Sequence, residues 1–329
     1  MKKIFTLIFT LSTLLAVAQE SEEKKTKIEF PKISGYVQGS YSANEDANGF
    51  SVQRVRLSIK GTIGDQFLYT IQSDLKGPSL VDGFVGYTPC KYFNLKLGQY
   101  KVPFSLENTD ASPTGMEFIE YPLGLRMLQG ISSVYKSASS FADIGLTAYG
   151  RIIKGDDFDY LSYDLGVFNG EGGNSSDANK SKDISARLIA RPIKEFKLTA
   201  SYYKAETGAN YDKRDLFSAG AMYSNDKVTV RTEAYLGDSD LSFLSKDDVI
   251  SKSIYGLVAY NITPKFNLAA RYDFFMLDST NKNYNQTNYT VGLSYRPIKY
   301  FRAMLNYTYA DYASDDNTNT IAVSLFGMF

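Results

Sequence analysis

Within residues 50–60, positions 54–60 alternate one by one between an apolar and a polar set. The apolar set is Val55, Leu57 and Ile59, and the polar set is Arg54, Arg56, Ser58 and Lys60. A period of two predicts a β-strand with one apolar face and one basic face. An arginine that faces lipid at mid-depth costs about 2 to 4 kcal/mol, so in a transmembrane barrel the basic face must point into the lumen.

Segments of this kind recur along the chain, and most are about 8 to 11 residues long, the length of a tilted strand that crosses a bilayer. We count sixteen: 33–41, 50–60, 66–75, 80–87, 93–100, 141–149, 159–169, 183–190, 196–205, 215–224, 227–236, 253–262, 266–276, 288–296, 301–309 and 320–329. The pattern predicts an all-β fold, a 16-stranded antiparallel transmembrane β-barrel. A soluble β-sandwich is the alternative interpretation.

The connections differ between the two sides of this barrel. Short turns that contain proline lie at 88–93, 191–196, 263–266 and 296–301, all on one side if the strands alternate up and down. The other side receives the longer polar loops 42–49, 170–182, 206–214, 237–252, 277–287 and 310–319. Short periplasmic turns and long extracellular loops are typical of outer-membrane barrels. Counting 131–136 as a strand would make the number odd, so we assign it to a loop.

The connection from Lys101 to Ser140 is longer than the others. Val102-Pro103 ends the preceding strand because proline lacks the N–H group that the ladder needs. Loops of this length are uncommon in compact folds unless they are functional or disordered. We expect this third extracellular loop to fold into the lumen, and an ordinary surface loop is the alternative. The residues expected at the constriction are Lys101, Pro103, Phe104, Glu107, Asp110, Glu117, Glu120 and Arg126.

The N-terminus has the three parts of a secretory signal peptide over residues 1–18: Lys2-Lys3, a short apolar run and small residues before Gln19. The apolar run is too short for a membrane-spanning helix. Residues 19–32 are polar and are interpreted as a periplasmic lead-in, followed by the barrel at 33–329. Export and the barrel pattern together predict the bacterial outer membrane, with lipid and lipopolysaccharide around the wall.

Composition excludes several classes of function. The chain has 36 basic and 36 acidic residues, and removal of Lys2 and Lys3 leaves 34 against 36, which is no signature of nucleic-acid binding. It has no histidine, which excludes Ser-His catalysis and most catalytic zinc sites. The carboxylate pairs at 156–157, 247–248 and 315–316 fall in loops or turns and are interpreted as solvating charge. We therefore expect a protein that is not an enzyme and has no cofactor or metal site.

Two further stretches identify what the chain resembles. The last strand carries Ile321, Val323, Leu325, Gly327 and Phe329 on one face, and it resembles the C-terminal strand by which the assembly machinery recognises outer-membrane barrels. The runs 50–57, 98–104, 143–146 and 166–170, with Lys182-Asp183 and Arg187-Leu188, resemble the phosphate-selective porin O/P family, and the run 98–104 (GQYKVPF) is the most specific. The resemblance implies a homotrimeric channel of sixteen strands with its third extracellular loop in the lumen.

Alternation places ten basic and seven acidic residues on the lumen face. This excess of positive charge indicates a weak preference for anions, and phosphate is a candidate among them. Near mid-depth the basic ones form an expected wall of Arg54, Arg56, Lys60, Arg187, Arg231 and Arg271. The acidic residues of the loop would face this wall across a narrow gap and create a transverse field that orients small hydrophilic solutes. The alternative is that the arginines simply pair with Asp164, Glu233 and Asp273. An alternative function is a non-conducting surface or adhesion barrel acting through its long loops.

The same alternation predicts the register of the wall. Residues expected to face lipid are Leu57, Leu146, Leu188, Val230, Leu268 and Val291, and those expected to face water are Arg56, Thr147, Arg187, Arg231, Asn267 and Thr290. Aromatic residues at strand ends are expected to form interfacial girdles: Tyr92, Phe93, Tyr100, Phe196, Tyr235, Tyr260, Tyr300, Phe301 and Tyr309.

Overall fold

Sixteen antiparallel strands pair with their neighbours in sequence and close into a barrel through β1 and β16. The computed structural model describes residues 30–77, 79–128, 141–241 and 245–329. The expected signal peptide, most of the lead-in and the segment 131–136 lie outside the described residues. Closure confirms the predicted barrel and excludes the sandwich, because every strand of a closed barrel has two partners and no edge is left open.

The strands all correspond to predicted segments. They are β1 (Lys32–Ala43), β2 (Asn48–Ile63), β3 (Phe67–Asp74), β4 (Ser79–Tyr87), β5 (Asn94–Lys101), β6 (Ala142–Lys154), β7 (Asp159–Phe168), β8 (Asp183–Ile193), β9 (Phe196–Thr207), β10 (Asp212–Ser224), β11 (Val228–Leu241), β12 (Lys246–Thr263), β13 (Phe266–Asp278), β14 (Asn281–Ile298), β15 (Phe301–Tyr312) and β16 (Thr318–Met328). Two short helices lie between β5 and β6, namely α1 (Leu106–Asp110) and α2 (Leu123–Leu128). Neither of these helices is long and apolar enough to cross a membrane.

The side chains of the wall alternate in exposure as the predicted register requires, except at Arg56 and Leu57, which do not differ. Leu188 is 45 % exposed whereas its neighbour Arg187 is 5 % exposed, and the same contrast separates Val230 from Arg231. Leu146, Leu268 and Val291 are likewise exposed, and Thr147 and Thr290 are buried. Leu57, Arg56 and Asn267 are half-buried. Each strand therefore has an exposed apolar outer face and an opposite inner face that carries the polar set.

Most loops on the long-loop side are shorter than predicted, because the strands continue beyond the expected ends, whereas the connection between β7 and β8 keeps its predicted length. Leu241 pairs with Lys246 and Asp278 pairs with Asn281, so most of 237–252 and 277–287 is paired strand. Beyond the lipid, polar side chains can lie on both faces of a strand, and the backbone ladder extends into water without a penalty. Hydrophobic alternation therefore marked only the membrane-spanning part of each strand.

The proline turns of the other side are tight. Ile193 pairs with Phe196 and Ile298 with Phe301, which leaves two residues between the paired positions. Pro192 and Pro297 each lie where the pairing register shifts, the position at which a strand tolerates a residue without an N–H group.

The girdle prediction was wrong at two positions. Tyr92, Phe93, Tyr260, Tyr300 and Phe301 are exposed, and Phe196 and Tyr309 are half-buried. Tyr100 and Tyr235, however, are buried. Tyr235 alternates in step with Arg231 and Glu233, so it belongs to the inner face. Parity along the strand decides which face a residue takes, and position near a strand end does not.

A β-bulge in β2 changes the inner face at one point. Gln38 pairs with Arg54 while Gly39 pairs with Val52, so Gln53 is the extra residue. Gln53 and Arg54 consequently both reach polar partners of the inner face, since Gln53 bonds the side chain of Gln38 and Arg54 donates to the Gln38 Oε1 atom at 2.6 Å. Bulges re-aim side chains in this way next to functional sites.

Candidate constriction site

Residues 102–128, which we call the β5–β6 segment, pack against the inner face of the wall. β5 ends at Lys101, one residue before Val102-Pro103, as the proline predicted. The Phe104 ring is fully buried and lies edge-on to the rings of Phe141 and Tyr203, with centroids 5.5 and 6.3 Å away. The Ser185 hydroxyl donates to the Pro103 carbonyl at 2.6 Å. The predicted loop residues Pro103 and Phe104 thus fix the start of the segment to β8 and β9.

A buried carboxylate of the wall holds the start of α1. Glu233 of β11 accepts the Leu106 N–H at 2.7 Å and the Glu107 N–H at 3.3 Å. Ser218 and Tyr235 donate their hydroxyls to the same carboxylate. The first N–H groups of a helix have no partner inside the helix and carry partial positive charge, so a carboxylate stabilises them. Glu233 therefore orients α1, and within the described part of the chain it forms no ion pair with an arginine.

Acidic residues of the β5–β6 segment contact a basic residue of the wall directly. Arg231 lies 2.7 Å from Glu107 and 3.1 Å from Glu117, and its side chain is 10 % exposed. The Tyr255 hydroxyl donates to Glu107 at 3.0 Å. These contacts correct the predicted transverse field at this position, because the opposed charges touch and leave no aqueous gap between them.

Asp110 joins a second ionic cluster at the other end of α1. Its carboxylate lies 3.0 Å from Arg187 and 2.7 Å from Lys197, and Arg187 also lies 3.5 Å from Asp164. Burial acts to raise the pKa of the Asp110 carboxyl, but the charges of Arg187 and Lys197 outweigh it and hold the pKa below its ordinary value. Asp110 is thus ionised near neutral pH and ties α1 to β8 and β9.

The second half of the segment is bound mainly through its backbone. Arg271 donates to the carbonyls of Glu120 at 2.8 Å and Tyr121 at 3.4 Å, and it pairs with Asp273 at 2.7 Å. Asp273 accepts the Leu123 N–H at 3.2 Å, so it holds the start of α2 as Glu233 holds α1. The predicted residue Arg126 lies half-buried on α2.

The expected ion pairs within the wall are therefore present at two of three positions. Arg187 reaches Asp164 and Arg271 reaches Asp273, as the alternative interpretation of the arginines proposed. Both arginines also bind the β5–β6 segment. Three of the six predicted wall residues, Arg187, Arg231 and Arg271, are thus anchors for this segment.

The other basic residues lie on the side formed by β2 and β5. Arg54 donates to Gln38, and Arg56 pairs with Asp74 at 2.9 Å. Lys101 donates to the carbonyls of Asn108 at 2.8 Å and Ala111 at 3.0 Å. Lys60 is exposed. Among the described residues Arg54, Lys60 and Lys101 form no ion pair, so their positive charges are not neutralised by a contacting carboxylate.

Tyr121 connects this basic side to the β5–β6 segment. Its ring lies 6.0 Å from the Lys101 ammonium group. Burial raises the pKa of the Tyr121 phenol to about 12, and the nearby guanidinium of Arg54 acts in the opposite direction. Next to it the exposed Glu120 accepts from Gln53 at 3.3 Å. Arg54 and Lys101 therefore act on the same surface of the segment from two different strands.

Several of these residues were not anticipated as site residues. Gln53 was hidden by the bulge, and Tyr121 lies outside any strand period. Tyr255 could have been found, since alternation along β12 places it on the inner face with Ser253 and Leu257. Metal-ligand clusters of three or more side chains do not occur within the described ranges.

A closed barrel of sixteen strands, apolar outside and charged inside, is the architecture of an outer-membrane channel protein. The chain belongs to a family within this class, phosphate-selective porin O and P, whose model matches residues 32–325. The family and the fold are those of a porin channel of the bacterial outer membrane rather than of an enzyme. Among curated proteins, no sequence matches the chain.

Solved structures share the fold at low sequence identity. The chain is similar to an anion-selective porin from Comamonas acidovorans, with a TM-score of 0.73 at 12 % identity over 93 % of this chain and 100 % of that one. It is similar to the outer membrane channel DcaP of Acinetobacter baumannii, with a TM-score of 0.68 at 10 % identity over 94 % and 99 %. It is also similar to the trimer form of OmpT, an outer membrane protein of Vibrio cholerae, with a TM-score of 0.65 at 14 % identity over 92 % and 100 %.

Proposed function

We propose that this protein is a passive diffusion channel for small hydrophilic solutes, with a weak preference for anions. The β5–β6 segment lies in the lumen in this proposal and narrows it. The contacts of the segment support this, because all of its wall partners named above belong to the inner face. The observation that carries the proposal is a division of charge. The carboxylates of Glu107, Asp110 and Glu117 are paired with cations of the wall, whereas Arg54 and Lys101 contact neutral groups and retain their positive charges.

The division of charge replaces the transverse field as the proposed mechanism. Carboxylates that contact arginines contribute little to the potential of the remaining aqueous path. Arg54, Lys101 and Lys60 then make this path positive, and rings of positive charge favour anions. Arg56 contributes less because Asp74 lies against it. Phosphate is one anion that such a path would carry.

The assembly around the channel is also part of the proposal. We infer a homotrimer, supported by the trimer form of the Vibrio cholerae protein with the same fold. Outer-membrane lipid and lipopolysaccharide surround the exposed apolar face, and the last strand presents its C-terminal residues to the barrel assembly machinery.

Conductance in planar bilayers tests the channel. Wild-type protein should give stable ion-conducting steps, and a non-conducting barrel would favour the alternative of an adhesion or surface protein. Deletion of residues 108–128 should enlarge the conductance if the segment narrows the lumen. An unchanged conductance in this variant, with the barrel still assembled, would contradict the location of the segment.

A further inference from the structure

A cavity of about 280 Å³ lies between the β5–β6 segment and the ends of β11 to β15 on the side of the short turns. Its lining includes Gly115 and Glu117 from the segment, the turn residue Lys265, and Arg296 and Arg302 from β14 and β15. Short turns face the periplasm in outer-membrane barrels, so this cavity is on the periplasmic side.

Two guanidinium groups meet at one oxygen atom beside this cavity. Arg296 donates to the Thr114 carbonyl at 2.8 Å, and Arg302 donates to the same carbonyl at 3.1 Å. Arg302 is 5 % exposed and also donates to the Ser294 hydroxyl at 2.7 Å. Arg296 is exposed, so water screens its side of the pair, but two like charges this close still repel each other because Arg302 is buried.

The described residues supply no carboxylate to neutralise the pair. Neither arginine takes part in an ion pair with any of them, and both described partners, Thr114 and Ser294, are neutral. Glu117 is the one acidic residue of the described lining, and it lies 3.1 Å from Arg231. Lys265 adds a third cation, so three cations and one carboxylate line the cavity, a formal charge of +2.

The two guanidinium groups also carry N–H donors that the described hydrogen bonds do not use. Each guanidinium carries five N–H groups in a planar fork. The three hydrogen bonds described use three of the ten, and seven remain. A planar fork matches the paired oxygens of a carboxylate or a phosphate group.

We propose that Arg296 and Arg302 form a periplasmic binding site for a small oxyanion, a phosphate or carboxylate group. The bound oxyanion neutralises the two guanidiniums and accepts their remaining N–H groups. This site is distinct from the basic side at Arg54 and Lys101. Its part in solute passage rests on the proposed channel function, but the binding itself does not.

Calorimetric titration of the full-length protein in detergent tests the site, with inorganic phosphate as one probe and succinate as the other. A hydrogen bond to a charged group contributes about 1.5 to 3 kcal/mol, so Arg296→Gln should weaken binding of the recognised anion about tenfold to a hundredfold. Saturable binding of phosphate alone, of succinate alone or of both identifies the ligand class. Absence of saturable binding of either probe to the wild-type protein would overturn the proposal.

Arg191→Gln is the matched control. Arg191-Pro192-Ile193-Lys194 repeats Arg296-Pro297-Ile298-Lys299 at another periplasmic turn, and Arg191 does not line the cavity. Equal weakening by Arg191→Gln and Arg296→Gln would mean a general charge effect and would contradict the site. Since Arg302→Gln could disturb the segment, Arg302→Lys is preferred, because it keeps the charge and removes the fork. It should also weaken binding.

The Arg54→Gln variant separates this proposal from the channel function. It should bind the anion as tightly as the wild type, whether or not its ion selectivity changes. Loss of binding in Arg54→Gln but not in Arg296→Gln would locate the anion at the β2–β5 side and overturn the assignment.

Discussion

Arg231 and Glu107 lie in direct contact, with Nη1 2.7 Å from Oε2, although 124 residues separate them in the sequence. The contact joins β11 to α1 and is almost completely buried. It links the stability of the barrel wall to the position of the β5–β6 segment, because a charge buried to this degree is costly without its partner.

Removal of Arg231 should therefore be costly. Arg231→Gln leaves Glu107 and Glu117 without their cation, and breaking a buried pair by removing one partner costs about 3 to 5 kcal/mol. We expect a loss of this size in the free energy of unfolding in detergent, with noisier conductance from a loosened segment. Lys213→Gln is the control, because Lys213 pairs with Asp238 and the exposed Asp248, and the expected loss is below about 1 kcal/mol. Equal losses in both variants would contradict the anchoring role.

Ion selectivity should depend on the unpaired cations and not on the anchors. The variant with Arg54→Gln and Lys101→Gln removes two charges, each worth about 1 kcal/mol to an ion at close approach in water. The ratio of anion to cation permeability should fall severalfold, as measured from reversal potentials in asymmetric salt. Replacement of Arg54, Arg56 and Arg231 together should add little to the effect of Arg54 and Arg56 alone. If Arg231 made the dominant contribution to selectivity, the result would favour the hypothesis that the arginine wall itself selects the ions.

Acid should release the Asp110 anchor. Since the pKa of Asp110 in the folded protein is below its ordinary value, its ionised form stabilises the fold. This stabilisation is fully present above the ordinary aspartate pKa of about 3.9 and is lost as pH falls through the lower folded value. Asp110→Asn at pH 7 should thus reproduce the conductance that the wild type shows only when the pH falls through the lowered pKa of folded Asp110. If Asp110→Asn leaves the conductance at neutral pH unchanged, Asp110 does not hold the segment in place.

Thiol labelling in membranes checks the register independently. The exposed Cys90 is first replaced by serine, and single cysteines are then introduced at Asn267 and Leu268. Asn267 is half-buried on the inner face and lines a cavity, and Leu268 is exposed on the outer face. A hydrophilic reagent should reach the cysteine at 267 through the water of the lumen, and lipid should protect the one at 268. The reverse result would place the opposite face in lipid.

The wall could be predicted from the sequence because it depends on a repeated local pattern. A period of two marks both the strand and its faces, and the cost of a charge in lipid then decides which face is inside. Arg187 and Leu188 illustrate this, since their neighbours in sequence were enough to place both. The same reasoning failed for Tyr235 only where strand-end position was used in place of parity.

The candidate site was less accessible, because its contacts join distant parts of the chain. The sequence contains both Glu107 and Arg231, but no pattern near either residue indicates that the two side chains are in direct contact. The sequence was equally consistent with a water-filled gap between them. The bulge at Gln53 is marked in the sequence only by a break in the alternation, where the polar residues Gln53 and Arg54 are adjacent. Arg296 was also missed, since it lies in a turn motif that recurs at Arg191 with no partner site.

The pairing of β1 with β16, which closes the barrel, must be the last step of its assembly. Gly35 and Phe329 exchange backbone hydrogen bonds of 3.1 and 3.0 Å, and the Phe329 ring occupies the space where a side chain at Gly35 would begin. The seam pairs residues 36–43 of β1 with residues 321–328 of β16, so the cylinder cannot close until β16 has been made. Every earlier state is an open ribbon with two unpaired borders, which a membrane interior does not tolerate. Closure joins β1 to β16, strands that are far apart in the sequence, so ring formation is intrinsically slow and depends on the earlier strands being held until β16 arrives.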